Sequence, residues 1–135
     1  MLGFPVHVRA GFVIFMILIA ALHGSEYGLW LAGALAVFTL LHELGHAVVA
    51  RWAGAEAEIS LEFMAGFASY RPTRPISFGV QALIALAGPL VHIAAGTAVL
   101  AALGHHPFTR PDRDSSLAQA IWWAGPMIGA LNLIP

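Results

Sequence analysis

The chain has 135 residues, 59% of them hydrophobic and 10% charged, with a net charge of −1, no cysteine and no lysine. Soluble domains carry about 25% charged residues, so these few cannot cover a water-facing surface, and the composition is that of one membrane-embedded domain, residues 1–135. The missing lysines argue against a nucleic-acid partner, and the missing cysteines exclude disulfides and thiolate metal sites.

Phe4, Val6 and Val8 alternate with Pro5, His7 and Arg9, the period of a short strand. Ala10 to Leu22 is continuously apolar. A helix of that length rises about 20 Å, short of the ~30 Å hydrocarbon core, so this first span borrows its flanks and Arg9 snorkels to one interface. His23 to Tyr27 offers no small-x-small cleavage site, so the segment reads as a retained span rather than a signal peptide. Gly24, Ser25 and Gly28 predict a tight turn. A second span follows over about 29–52, closed by Arg51 and Trp52 at the interface and by Gly54 as a helix stop.

Beyond it, Ile59, Leu61 and Phe63 alternate with Glu58, Ser60 and Glu62. This predicts a half-buried strand, a turn at Gly66 and a return strand over Phe67–Tyr70: a hairpin spanning 57–71 at the membrane face, ended by Pro72 and Pro75. The third span, about 78–103, contains Gly88-Pro89, which should kink or locally open it. A polar loop from His105 to Ser116 leads to a fourth span beginning near Leu117. That span carries Trp122 and Trp123, a second Ala-Gly-Pro at 124–126, and Asn132-Leu133-Ile134-Pro135. The expected fold is all-α and polytopic, with about four transmembrane helices and a small β-hairpin between spans 2 and 3. Arg9, Arg51, Arg71 and Arg74 lie on one side of such a chain, and Arg110 and Arg113 on the other. The positive-inside tendency then puts the N-terminus and the 53–77 loop in the cytoplasm of a multi-pass cell-membrane protein.

The chemistry concentrates at His42-Glu43-Leu44-Gly45-His46 within the second span. Ionisable groups are expensive in a bilayer and mark function by default. Residues four apart share a helix face, so His42 and His46 can aim at one zinc ion. Zinc there would lower the pKa of a water toward ~7 and polarise a carbonyl. Glu43, offset by one residue, reaches the edge of the site and has the position of a metalloprotease general base. Gly45 leaves room for another helix or a substrate backbone.

His-Glu-Leu-Gly-His in a span, the hairpin-like loop after it, Gly88-Pro89 in the next span and Asn132-Leu133-Ile134-Pro135 in the last come in one order. In these residues, and in the opening Phe4-Pro5-Val6-His7-Val8, nearly the whole chain resembles the site-2 proteases, zinc metalloproteases that cut within membranes. The resemblance implies an intramembrane zinc endopeptidase acting on membrane-spanning protein substrates, as in regulated intramembrane proteolysis, with Zn2+ as cofactor. It also implies a third zinc ligand, an aspartate in a Leu-Asp-Gly that follows the Asn-x-x-Pro element. That aspartate would lie beyond Pro135, so the chain reads as a fragment lacking it. Family members usually carry asparagine three residues after the Pro of the Gly-Pro pair; here the position holds His92. His92 could donate a hydrogen bond to substrate or oxyanion in the asparagine's place, ligate the metal, or bond a backbone carbonyl structurally. Asn132 is the other expected substrate or oxyanion contact.

Two other functions fit the same residues: a catalytically degenerate scaffold that binds a membrane partner, and a metal-ion transport or sensing module using His42, Glu43, His46 and His92. Asp112 and Asp114 read as loop carboxylates paired with Arg110 and Arg113, and His105 and His106 as solvated loop residues. Met16, Met64 and Met127 read as packing. Substrate identity, regulation and oligomeric state leave no mark in the sequence.

Overall fold

The computed structural model describes residues 5–62, 65–106, 109–112 and 115–133. In chain order the elements are β1 (Val6–Val8), α1 (Ala10–His23), α2 (Ser25–Trp52), β2 (Ala55–Glu62), β3 (Ala65–Pro72), α3 (Phe78–Ala102) and α4 (Ser116–Trp122). The last runs through a π-turn at Trp123–Met127 into α5 (Ile128–Leu131).

α2 is the hub, packing against α1, α3, α4 and the sheet. Its 28 residues rise about 42 Å, so it reaches past every neighbour. α2 and α3 are long and apolar enough to cross a membrane; α1 is apolar but shorter. Ile17, Leu22, Leu29, Phe78 and Leu90 point outward and exposed. Apolar residues thus cover both the inner and outer faces of these helices, the pattern of helices in a lipid solvent.

The reversal between α1 and α2 is tighter than the sequence reading had it. Gly24 alone makes it, at φ +60°, where a side chain would be strained. α2 begins at Ser25 rather than Leu29, and Gly28 is a helical residue. A Cβ on Gly28 would run into the Ala20 carbonyl, so this glycine serves the α1–α2 contact instead of a turn.

The expected hairpin is part of a three-stranded sheet of order β1-β2-β3. β1 lies parallel to β2, with Val6 opposite Ile59, and β2 runs antiparallel to β3, with Ile59 opposite Ala68 and Leu61 opposite Gly66. Gly66 is therefore a strand residue and not the turn. The reason is crowding: a Cβ there would lie 2.8 Å from Glu43 Cγ and 3.0 Å from Thr39 Cγ2. Phe63 and Met64 lie outside the described residues. Alternation sorts the two faces. Ile59 and Leu61 are buried with Phe12 and Ala47, while Glu56 and Glu58 face outward. Arg9 joins the sheet as well as capping α1: its N–H donates to Leu61 O at 2.9 Å and its side chain pairs with Glu62 at 3.6 Å.

Small residues let the helices approach. A Cβ on Gly45 would lie 2.7 Å from Ala87 O, and one on Gly96 2.7 Å from Gly125 Cα. α3 starts where the Ser77 hydroxyl accepts the Val80 N–H, and α4 where Ser115 accepts from Ala118. The hydrogen-bonded helix α3 continues through Pro89, so the expected local opening does not interrupt it. Pro126, in the second Ala-Gly-Pro, instead sits within the π-turn. Leu31 and Phe38 of α2, Leu100 of α3 and Ala120, Ile121 and Ala124 at the C-terminal end form the core that closes the bundle.

Candidate metal centre

His42 and His46 lie one turn apart on α2, and their Nε2 atoms face each other at 3.1 Å. Helical spacing brings the side chains together; α3 sets their rings. It crosses α2 at Gly45 and Gly88, and the His46 ring occupies the space where a side chain on Gly88 would be. His46 Nδ1 is 2.7 Å from Ile84 O. A carbonyl only accepts, so Nδ1 carries the proton and donates, leaving Nε2 as a bare lone pair.

The same reasoning runs through His92. It is buried, with its Nε2 2.5 Å from Ala124 O and its Nδ1 3.4 Å from His42 Nδ1. The Ala124 carbonyl places the His92 proton on Nε2, which makes Nδ1 an acceptor. A neutral His42 carries one proton; placed on Nδ1 it donates to His92 and leaves Nε2 bare, the tautomer a metal at Nε2 requires. In that tautomer two imidazole lone pairs face each other across 3.1 Å. Tetrahedral ligands with arms of ~2.0–2.1 Å have an edge of about 3.3 Å, so a zinc ion suits the pair. Each ring also spends its other nitrogen on a fixed acceptor, the arrangement that usually orients a metal-binding histidine. Among the described residues no group of three or more His, Cys, Asp or Glu side chains is arranged to hold an ion. The histidine pair is thus a partial ligand set.

A cavity of about 400 Å³ opens beside the pair. His42, Glu43, His92 and Asn132 all line it, together with Gly66 of β3 and Phe12 of α1. His46 contributes through its contact with His42 rather than through the cavity wall. Glu43 is buried and lies against Gly66. The backbone N–H of Ala68 bears on its carboxyl. Because Ile59 gives its own N–H to Pro5 O at 2.9 Å, its pairing with Ala68 is of the non-hydrogen-bonded kind, and the Ala68 N–H points to the outer edge of β3. Glu43 therefore sits at the open edge of the sheet.

Sequence reasoning missed the partners supplied by backbone. Ile84 O and Ala124 O orient His46 and His92, and neither acceptor has a side-chain signature. Phe38 stacks on the His92 ring at 5.6 Å with an interplanar angle of 4°. Its position one helical turn before His42 was the signal available. A larger, more polar cavity of about 620 Å³ lies against β2 and β3 and holds none of the predicted site residues. Asp112 is exposed in its loop, and Asp114 and Arg113 lie outside the described residues, as do Ile134 and Pro135 of the Asn-x-x-Pro element.

No protein-family model and no curated protein matches the chain. A solved structure, the Site-2 Protease from Methanocaldococcus jannaschii, matches with a TM-score of 0.71 and 30% identity over 100% of this chain. This match supports the site-2 protease family for the chain. The chain spans 62% of the length of that relative. The order of motifs along the sequence and the match in fold over this chain point the same way. The likeness to that structure extends over this chain from β1 through α5.

Proposed function

We propose that the protein is an intramembrane zinc metalloprotease that hydrolyses peptide bonds of membrane-embedded protein substrates. His42 and His46 hold the metal and Glu43 is the general base. The observation that carries this reading is the convergence of the two Nε2 atoms at 3.1 Å beside a cavity that also holds Glu43 and Asn132. Zinc, when bound, supplies an acidified water and polarises the scissile carbonyl. Glu43 takes the proton of the attacking water and passes it to the leaving nitrogen. Its burial against β3 keeps competing solvent from the carboxylate. Asn132 offers an amide at the same cavity for the substrate backbone or the developing oxyanion.

A helical peptide bond is closed to attack, so the substrate must be drawn out. On this reading the outer edge of β3, whose Ala68 N–H lies beside Glu43, adds an extended substrate strand next to the base. Four spans with the N-terminus and the 53–77 loop on the cytoplasmic side complete this reading.

The test is Glu43→Gln in the full chain, assayed on a membrane-spanning reporter with zinc content measured in parallel. Cleavage falls by about 10²–10⁴-fold or more, the range for loss of a general base, while zinc stays bound. His42→Ala and His46→Ala lose the zinc. Loss of zinc in Glu43→Gln would instead make Glu43 a ligand, and unimpaired cleavage by that variant would overturn the assignment.

A further inference from the structure

We infer that His92 is a positioning residue for the metal centre, accepting the Nδ1–H of His42 and so holding that ring with its Nε2 toward the ion. The inference rests on the zinc reading of His42 and His46 and assigns the role of the residue behind them.

Four observations bear on it. His92 is only 3% exposed, so its two nitrogens must find partners within the protein. Nε2 donates to Ala124 O at 2.5 Å, which leaves Nδ1 as an acceptor 3.4 Å from His42 Nδ1. The ring is held in plane: it stacks on Phe38, stands at 85° to the His42 ring, and has Gly129 close behind, where an added Cβ would lie 3.3 Å from Cδ2. Finally, the acceptor that begins the relay is released by the π-turn. Ile128 shares its N–H between Trp123 O, five residues back, and Gly125 O, three back, and not with Ala124 O, four back. The Ala124 carbonyl is thereby left for His92. The line from Ala124 through His92 to His42 fixes the tautomer of His92 and offers the His42 Nδ1–H an acceptor.

A purely structural histidine would be finished at Ala124. The second nitrogen, turned to His42, is what a structural role does not require. Asparagine and glutamine separate the two functions. The Asn amide falls near the place of Nδ1 and can accept from His42. The Gln amide falls near the place of Nε2 and can bond Ala124 O but not His42.

The experiment compares the full chain with His92→Asn, His92→Gln and His92→Phe, measuring zinc affinity by competition with a chromophoric chelator and the ligand-field spectrum of the Co2+-loaded protein. His92→Phe keeps the stack on Phe38 without either nitrogen. Phe and Gln are expected to weaken zinc by about 10–100-fold, the usual effect of removing an outer-shell partner, and to shift the Co2+ bands. Asn is expected to restore both toward the unaltered protein. Rescue by Gln and not by Asn would overturn the inference, because the role would then end at Ala124. Unchanged zinc affinity in all three would overturn it as well, while leaving the zinc reading intact if His42→Ala still abolishes binding. An unaltered chain that binds no zinc would remove both. Should His92→Phe fail to fold, the Asn and Gln pair decides alone.

Discussion

The contact between Gly88 and His46 makes the most demanding test of the site's construction. A Cβ added at Gly88 would lie 2.5 Å from Cε1 and 2.7 Å from Cδ2 of the His46 ring, and closer still to Nε2. Ordinary carbon contacts begin near ~3.5 Å, so the ring must retreat by about 1 Å. It cannot do so freely. Nδ1 is tied at 2.7 Å to Ile84 O, on the same helix one turn earlier, and Nε2 stands 3.1 Å from His42. Zinc ligation tolerates errors of roughly 0.2 Å, so Gly88→Ala should lower zinc affinity by about 100-fold or more, or ~2.8 kcal/mol at 1.4 kcal/mol per decade. If α2 and α3 part instead of the ring moving, the cost is ~1–3 kcal/mol of overpacking. A chelator titration and a thermal melt in the same detergent distinguish these outcomes. Gly79→Ala is the control: nothing lies within 4 Å of its Cβ, and the change should be neutral or slightly stabilising. Zinc affinity and melting temperature both unchanged in Gly88→Ala would refute the α2–α3 geometry on which the centre is built.

Gly66→Ala presses a methyl against Glu43 Cγ at 2.8 Å and Oε1 at 3.2 Å. Turnover of a membrane-spanning reporter should fall by about 100-fold, the cost of misplacing a reacting group by ~1 Å, with zinc content unaltered. Ile59 is fully buried between β1 and α2, and Ile59→Ala should cost ~2–5 kcal/mol, read as a lower melting temperature in detergent.

Much of this was legible in the sequence because it is local. The apolar runs, the four-residue spacing of His42 and His46, and the alternation around Ile59 each follow from a period along the chain. What was not legible depends on partners far away. β1 pairs with a strand some fifty residues later, and no periodicity announces a parallel partner. Gly66 has the composition of a turn, but its lack of a side chain answers to Glu43 and Thr39 on another element. Gly24 and Gly28 divided in the same way, one serving conformation and the other helix contact. His92 had three open roles: donating to substrate or oxyanion, ligating the metal, or bonding a backbone carbonyl. Ala124 O and His42 narrow them, and both are brought to it only by tertiary packing.

The two acceptors that aim His46 and His92 belong to the main chain, at Ile84 and Ala124. Replacing either side chain by another of similar size leaves the oxygen where it was. The aim of both rings is thus insulated from point substitution at those two positions and exposed to whatever reshapes the helix backbone. Two Gly-Pro pairs stand close by, at Gly88-Pro89 and Gly125-Pro126, and each removes a helical N–H donor nearby. A lineage could alter most of the surrounding side chains and keep the same ring orientation. Shifting either proline by one residue would move the missing N–H along the helix that carries one of these acceptors.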